Sequence, residues 1–245
     1  MRDSAIIARL AEMPFEQKRA NRPPDPPRDA TGRSLADYPR PSVAVDTAVL
    51  TVPDGIALSI VLVRPTPDDE PSAGGRHRLP GTFLHEGERL AEAVLRSLRD
   101  KAGVTGLAPR QLHVFDDPDR DDRGRVLSVA HVVTVPAREL AVDDAKASLV
   151  AVDRIPDLAY QHDAIVELAV AALRAEYRSA PDPRRLLEAP FTLRDLLDLH
   201  EAIAGSPIPR DAFRRAMSGA LVDTGDSRRG LVGKPARLFI PGTWA

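Results

Sequence analysis

The chain has 245 residues, 43% of them hydrophobic, and a formal net charge of −2, so it is long enough for two compact domains and carries no global charge that would drive it onto nucleic acid or an acidic membrane. It contains no cysteine, which excludes disulfides, thiolate metal sites and cysteine nucleophiles and fits a reducing interior. No apolar run approaches the ~20 residues of a membrane span and the charged N-terminus lacks an apolar signal core, which predicts a cytoplasmic protein with no membrane contact.

In chain order, residues 1–40 predict a partly disordered extension: one helix over 4–18 interrupted at Pro14, then the proline-rich, charged NRPPDPPRDATGRS. From Ser42 the pattern changes. SVAVDTAVLTV and GIALSIVLVRP are β-branched runs of strand length separated by the turn signal PDG, and predict an antiparallel pair. PDDEPSAGGRHR reads as a flexible loop, Leu79–Leu84 as a short strand, and Gly87–Ala102 as a helix closed by Gly103. Strands at Gln111–Phe115 and Arg125–Val135 bracket the charged loop DDPDRDDRGR, and a helix follows at about His162–Tyr177. This order predicts an α/β (α+β) sandwich over 41–160, with residues 161–190 as helix and linker.

RSAPDPRRLLEAP, Arg178–Pro190, is the predicted domain break. Beyond it Thr192 can N-cap a helix running to Ala204, with Leu196, Leu199 and Ile203 on one face. A second helix over Asp211–Ala220 places Phe213, Ala216, Met217 and Ala220 on one side and Arg214, Arg215 and Ser218 on the other, with Arg210 at its start. Two short apolar runs around DTGDSRRGLVGKP suit an irregular hairpin. Helix, turn, helix and hairpin over 191–245 spell a winged helix-turn-helix.

Charge supports that assignment. Residues 206–245 hold seven basic residues, Arg210, Arg214, Arg215, Arg228, Arg229, Lys234 and Arg237, against three acidic ones, a net +4 that leaves −6 on the preceding chain. A basic module on an acidic body is the electrostatic footprint of duplex DNA binding, with Arg214 or Arg215 offered to base edges and Arg228, Arg229 and Lys234 to phosphate.

The stretch from Leu79 to Val104, LPGTFLHEGERLAEAVLRSLRDKAGV, resembles the Nudix box, in which glycine, glutamate and an Arg-Glu-apolar-x-Glu-Glu helix hold Mg²⁺ against a diphosphate. Thr82 falls on the first glycine, Glu88 on the first glutamate, Arg96 on the arginine and Gly103 on the last glycine, but Ser97, Asp100 and Lys101 occupy the three helical glutamate positions. Ser97 is a poor base and a poor ligand for the ion, and the Lys101 ammonium repels a cation while attracting phosphate. The box therefore predicts a nucleotide pocket without catalytic or metal-binding residues. Arg64, Arg78, Glu88, Lys101, Arg120 and Arg123 are the candidate ligand-binding residues. The plain alternatives are an amphipathic helix built on Leu90, Val94 and Leu98 with a surface Glu92–Arg96 pair, and a solvated turn at DDPDRDDRGR.

A Nudix-like domain followed by FTLRDLLDLHEAIAGSPIPRDAFRRAM and GKPARLF is similar to the Nudix-related transcriptional regulators of the NrtR family, actinobacterial type, from about Tyr38 to Phe239. The resemblance implies a homodimeric repressor of NAD biosynthesis or salvage genes that binds a pseudo-palindromic operator, needs no cofactor and senses ADP-ribose or a related NAD metabolite as effector. Family sequences often carry Asn before the phenylalanine matching Phe213, where this chain has Ala212, which leaves the operator sequence open. The alternative is an active ADP-ribose pyrophosphatase with a C-terminal assembly module. Other chemistries find no support: the six histidines lack metal-ligand spacing, RRGLVGKP has proline where a phosphate loop needs Ser or Thr, and no serine nucleophile elbow is present.

Overall fold

The structure, a computed structural model, describes residues 27–67, 73–229 and 235–242; the expected helix over 4–18, the middle of the 67–78 loop and Lys234 lie outside them. The first domain is built on a six-stranded sheet of β1 (Ser42–Thr51), β2 (Ser59–Val63), β3 (Gly81–Phe83), β4 (Arg110–Phe115), β5 (Val126–Thr134) and β6 (Ala147–Ala151), in the order β4-β5-β1-β2-β6 with β3 also on β1. β1 and β5 run parallel from Ser42 opposite Val126 to Leu50 opposite Thr134. On its other edge β1 changes partner: Ala44, Val45 and Asp46 face β3, while Leu50 and Thr51 face β2. The residues leading into β3 hold both strands, Pro80 O accepting from Thr47 N at 2.9 Å and Arg78 O from Val63 N at 2.8 Å. The strand β6 has no counterpart in the sequence reading.

Alternation along β1 assigns the two faces. Val45 and Val49 pack with Val94, Leu98 and Val129 under α1 (Leu90–Ala102). Ala48 and Leu50 pack with Ile60, Leu62, Ile165 and Leu173 under α2 (His162–Tyr177). α1 begins three residues later than the expected Gly87 and ends on Gly103, whose φ of 68° lets its N–H close on Arg99 O.

The second domain contains β7 (Phe191–Thr192), α3 (Leu193–Ala204), α4 (Arg210–Met217), β8 (Leu221–Arg228) and β9 (Ala236–Pro241), with strand order β7-β9-β8. Thr192 caps α3: its Oγ1 accepts from Asp195 N at 3.1 Å, and Asp195 Oδ2 accepts from Thr192 N at 2.8 Å. α4 is shorter than expected, and its apolar face is narrower: Phe213 and Met217 are buried, whereas Ala216 and Ala220 are exposed.

α3 serves both domains. Leu196 and Leu197 join Phe191, Phe213 and Met217 in the winged helix core, but Leu199 and Ile203 belong to the same core as Leu50, Ile60 and Leu173 of the first domain. The expected single face of α3 is thus two faces. The break at 178–190 is packed as well: buried Asp182 accepts from Tyr177 Oη at 2.6 Å and from the N–H groups of Leu186 and Leu187 at 3.0 and 2.9 Å. No helix among the described residues is long and apolar enough to cross a membrane.

Candidate functional site

A cleft beside β1, open to solvent, has a volume of about 330 Å³ and is lined by Asp46, Arg78, Gly81, Thr82, Phe83, Lys101, Arg120, Asp121, Arg123, Tyr160 and His162, among others. Four of the expected ligand residues meet there: Arg78, Lys101, Arg120 and Arg123. Two do not. Arg64 is exposed and donates from Nε to Asp144 O at 3.0 Å. Glu88 is held by Arg96, which reaches its two carboxylate oxygens at 2.7 and 2.8 Å.

That pair explains the box's architecture. The Arg96 guanidinium also donates to Thr82 Oγ1 at 3.0 Å and Phe83 O at 2.9 Å, tying β3 and the following loop to α1. Thr82, in the place of a glycine, supplies the hydroxyl. Hydrogen bonds from Arg96 hold the Glu88 carboxyl down at about 2. The alternative surface pair of Glu92 with Arg96 does not form: Glu92 accepts from Arg89 N at 2.8 Å in the first turn of α1, leaving Arg96 to Glu88.

None of the three substituted positions carries a glutamate. Ser97 is 1% exposed, and its Oγ has no hydrogen-bond partner. Asp100 pairs with Arg99 at 2.9 Å, and Lys101 contributes an ammonium to the cleft wall. Among the described residues no group of three or more His, Asp or Glu side chains is arranged to hold a metal.

The loop at 116–125 folds inward. Arg120 is 5% exposed, with its guanidinium 3.7 Å from Asp46 Oδ2 and donating to Tyr160 O at 3.2 Å. Arg123 is gripped by both oxygens of buried Asp121, each at 2.8 Å, and its charge sits 5.3 and 4.7 Å from the ring centroids of Phe83 and Tyr160. The Arg123 guanidinium holds the Asp121 carboxyl below the ordinary range, against its burial.

Sequence reasoning missed the floor of the cleft. Asp46 is buried with Ser128 Oγ donating to Oδ2 at 2.5 Å and His162 Nε2 at 3.2 Å from Oδ1. Leu79 N donates to His162 Nδ1 at 2.9 Å, which places the ring proton on Nε2, toward Asp46. Burial pushes the Asp46 carboxyl up, but His162, Ser128 and Arg120 together bring it below its ordinary value. The available signal was a lone aspartate inside an apolar strand. With Asp46 and Asp121 as its carboxylates and four cations around them, the cleft suits a ligand with more than one negative charge.

The second site lies on the winged helix domain. Arg210, Arg214 and Arg215 are exposed on α4, and Arg229 is exposed after β8. Arg228 is paired with Asp195, and Arg237 with Asp223 at 2.9 Å. Arg194, which the sequence reading did not single out, lines a notch with Arg210, Arg214 and Phe213. Between the two sites run three rings packed edge to face: Tyr177 lies 5.2 Å from His200 and His200 4.8 Å from Phe213, centroid to centroid.

Residues 183–240 match the NrtR DNA-binding winged helix domain. The crystal structure of Shewanella oneidensis NrtR complexed with a 27mer DNA superposes with a TM-score of 0.63 at 30% identity, covering 81% of this chain and 93% of that one. The ADPR responsive transcriptional repressor NtrR of Acinetobacter baylyi is 29% identical over 214 residues, 83% of each chain. The ADP-ribose pyrophosphatase of Methanocaldococcus jannaschii is 38% identical over 95 residues, 38% of this chain and 56% of that protein.

Proposed function

We propose a function from one premise: the chain belongs to the NrtR family of Nudix-related regulators. It is a transcriptional repressor whose winged helix binds operator DNA and whose Nudix-like cleft holds ADP-ribose or a related NAD-derived nucleotide, with genes of NAD biosynthesis or salvage as targets. The single observation that carries this is α3, one helix whose two faces complete the core under the nucleotide cleft and the core behind the recognition helix.

In the cleft, Lys101, Arg78 and Arg123 meet the diphosphate, and the Asp46–His162 pair keeps the floor polar and fixed. Hydrolysis is not required. The box has Ser97, Asp100 and Lys101 where a hydrolase needs carboxylates to hold Mg²⁺, and Glu88 is committed to Arg96. On the DNA side, Arg214 and Arg215 of α4 face base edges, while Arg210, Arg228, Arg229, Lys234 and Arg237 meet phosphate. Operator binding by a homodimer requires two copies of this face at half-site spacing. Control follows from linkage: a nucleotide that prefers one arrangement of the shared core shifts the population by its differential affinity, and no bond need break.

The pyrophosphatase reading is favoured by the similarity to the Methanocaldococcus enzyme, and one experiment separates the two. The protein is incubated with ADP-ribose and Mg²⁺ while cleavage is followed, and its retention on promoter fragments of NAD genes is measured with and without the nucleotide. Sequence-selective retention that changes with ADP-ribose, without cleavage, is expected. Turnover of order 1 s⁻¹ or more without selective retention would overturn the regulator. Replacing Arg214 and Arg215 by Ala should abolish operator binding and leave nucleotide affinity intact.

A further inference from the structure

The arginines exposed on the winged helix domain fall into two sets. Arg210, Arg214, Arg215 and Arg229 have no carboxylate partner among the described residues. Arg194, Arg228 and Arg237 each have one. Arg194 Nε lies 2.8 Å from Asp198 Oδ1 on α3, Arg237 lies 2.9 Å from Asp223 across the β8–β9 hairpin, and Arg228 folds from the wing onto Asp195 in the first turn of α3. The paired arginines therefore flank α4, on the first turn of the preceding helix and on the wing.

These pairs are poor staples for the fold. The Arg194, Arg228 and Arg237 side chains are 59%, 54% and 76% exposed, and exposed pairs of this kind add little to stability. Their effect on a polyanion is larger. Each arginine that neutralises a phosphate releases counterions and adds about 0.9 to the slope of log affinity against log salt, or about eightfold at roughly 0.1 M. A carboxylate already seated on the guanidinium cancels that gain.

We propose that Asp195, Asp198 and Asp223 are charge masks on the DNA-binding face: they neutralise the flanking arginines in the free protein and must be exchanged for backbone phosphates when duplex DNA docks. Resting on the DNA-binding function above, this assigns Arg194 as a further phosphate contact, beside Arg210 and Arg214 in the notch they share. Masking lowers the sequence-independent part of the affinity and leaves the unpaired arginines of α4 to carry discrimination. The free repressor then spends less of its time on unrelated DNA.

The test needs no operator. The full chain is titrated onto a mixed-sequence duplex of about 30 base pairs, by fluorescence anisotropy, from about 50 to 300 mM KCl. Asp195 also caps α3, so the variants are Asp198→Asn and Asp223→Asn. Each is expected to tighten binding about eightfold at roughly 0.1 M salt and to steepen the log–log slope by about one. Adding Arg194→Ala to Asp198→Asn should return the affinity toward that of the wild type. Glu86→Gln, on the loop between β3 and α1 of the first domain, removes the same charge and should change neither quantity. Unchanged or weakened binding by the two Asn variants overturns the proposal and shows that these carboxylates position the arginines. Equal tightening by Glu86→Gln overturns it in favour of bulk charge. If no variant, and not the wild type, binds duplex DNA at low salt, the DNA-binding function fails and the masks with it.

Discussion

The Asp46 carboxylate stands 3.2 Å from His162 Nε2, joining the middle of β1 to the first residue of α2. β1 alternates its side chains between two cores, and Asp46 falls on the face that meets α2. An apolar residue there would pack; the carboxylate instead fixes where α2 begins relative to the cleft floor. The approach has a steric condition, because a Cβ on Gly81 would overlap Asp46 Oδ1 and press on Val45 O.

Gly81→Ala is therefore expected to destabilise the chain by about 1–3 kcal/mol, the ordinary cost of forcing atoms into a packed site. It should also weaken ADP-ribose binding, because relief of the overlap moves Asp46 away from His162. Thermal unfolding and calorimetric titration measure the two effects. A variant with wild-type stability would show that β3 can shift away at no cost, and that Gly81 is not what permits the Asp46–His162 contact.

The core shared through α3 makes a prediction about cooperativity. Leu199 is buried against the first domain, not the second, although it lies in the DNA-binding unit by sequence. Leu199→Ala should cost about 2–5 kcal/mol. Both domains should lose their structure in one transition, as reported by His131 in the first domain and Phe213 in the second, observed by NMR during heating. If the winged helix melts separately while the first domain keeps its wild-type midpoint, the shared core is not an energetic unit.

Much of this architecture is legible from local pattern. The β-branched runs mark β1, β2 and β5, Gly103 marks the end of α1, and Thr192 marks the start of α3. What was hidden depends on partners far apart in sequence. The charge run at 116–125 offers Arg120 and Arg123 to a pocket or to solvent alike, and nothing local shows that Arg120 will find Asp46 and Tyr160 O. Helical spacing offers Arg96 a surface pair with Glu92, while its partner Glu88 lies on the loop before the helix. Leu196, Leu199 and Ile203 share a helical stripe, yet only tertiary packing shows that the stripe is divided between two cores. β6 is five residues with little alternation, and its pairing with β2 is what defines it.

Acid should loosen the structure in a fixed order. Burial pushes the imidazoles of His131 and His200 below their ordinary value of 6.5, although hydrogen bonds from their rings to Val129 O and Pro181 O and the charges of Asp46 and Asp182 oppose it. The unfolded chain thus binds protons that the folded chain resists. The stability from each neutral ring is present above pH 6.5 and is lost as pH falls toward its lower folded value, at up to about 1.4 kcal/mol per pH unit for each proton. Asp46 follows only below the usual carboxylate range, since its folded value is also lowered. The expected result is a midpoint that drops from pH 7 to 5. His200→Gln should lower stability at pH 7, through loss of its ring contacts with Tyr177 and Phe213, yet make the pH dependence shallower. An unchanged slope would mean that His200 is protonated in the folded state as readily as in the unfolded chain.

On the proposed function, Lys101 is the residue on which phosphate binding in the cleft turns. It is exposed on α1 and lines the cleft, so exchanging it costs the fold little, whereas Ser97 in the preceding turn is buried and cannot accept a carboxylate without an unpaired charge. Lys101→Glu should weaken ADP-ribose binding without metal by roughly ten- to hundredfold, the equivalent of one charge-assisted hydrogen bond of about 1.5–3 kcal/mol. Combined with Asp100→Glu it should create measurable Mg²⁺ binding, which calorimetry detects. Ser97→Glu should instead lower the melting midpoint. If the wild type binds Mg²⁺ as tightly as the Asp100→Glu, Lys101→Glu variant, the ammonium does not exclude the cation, and the difference between a binding pocket and a hydrolytic one must lie elsewhere in the cleft.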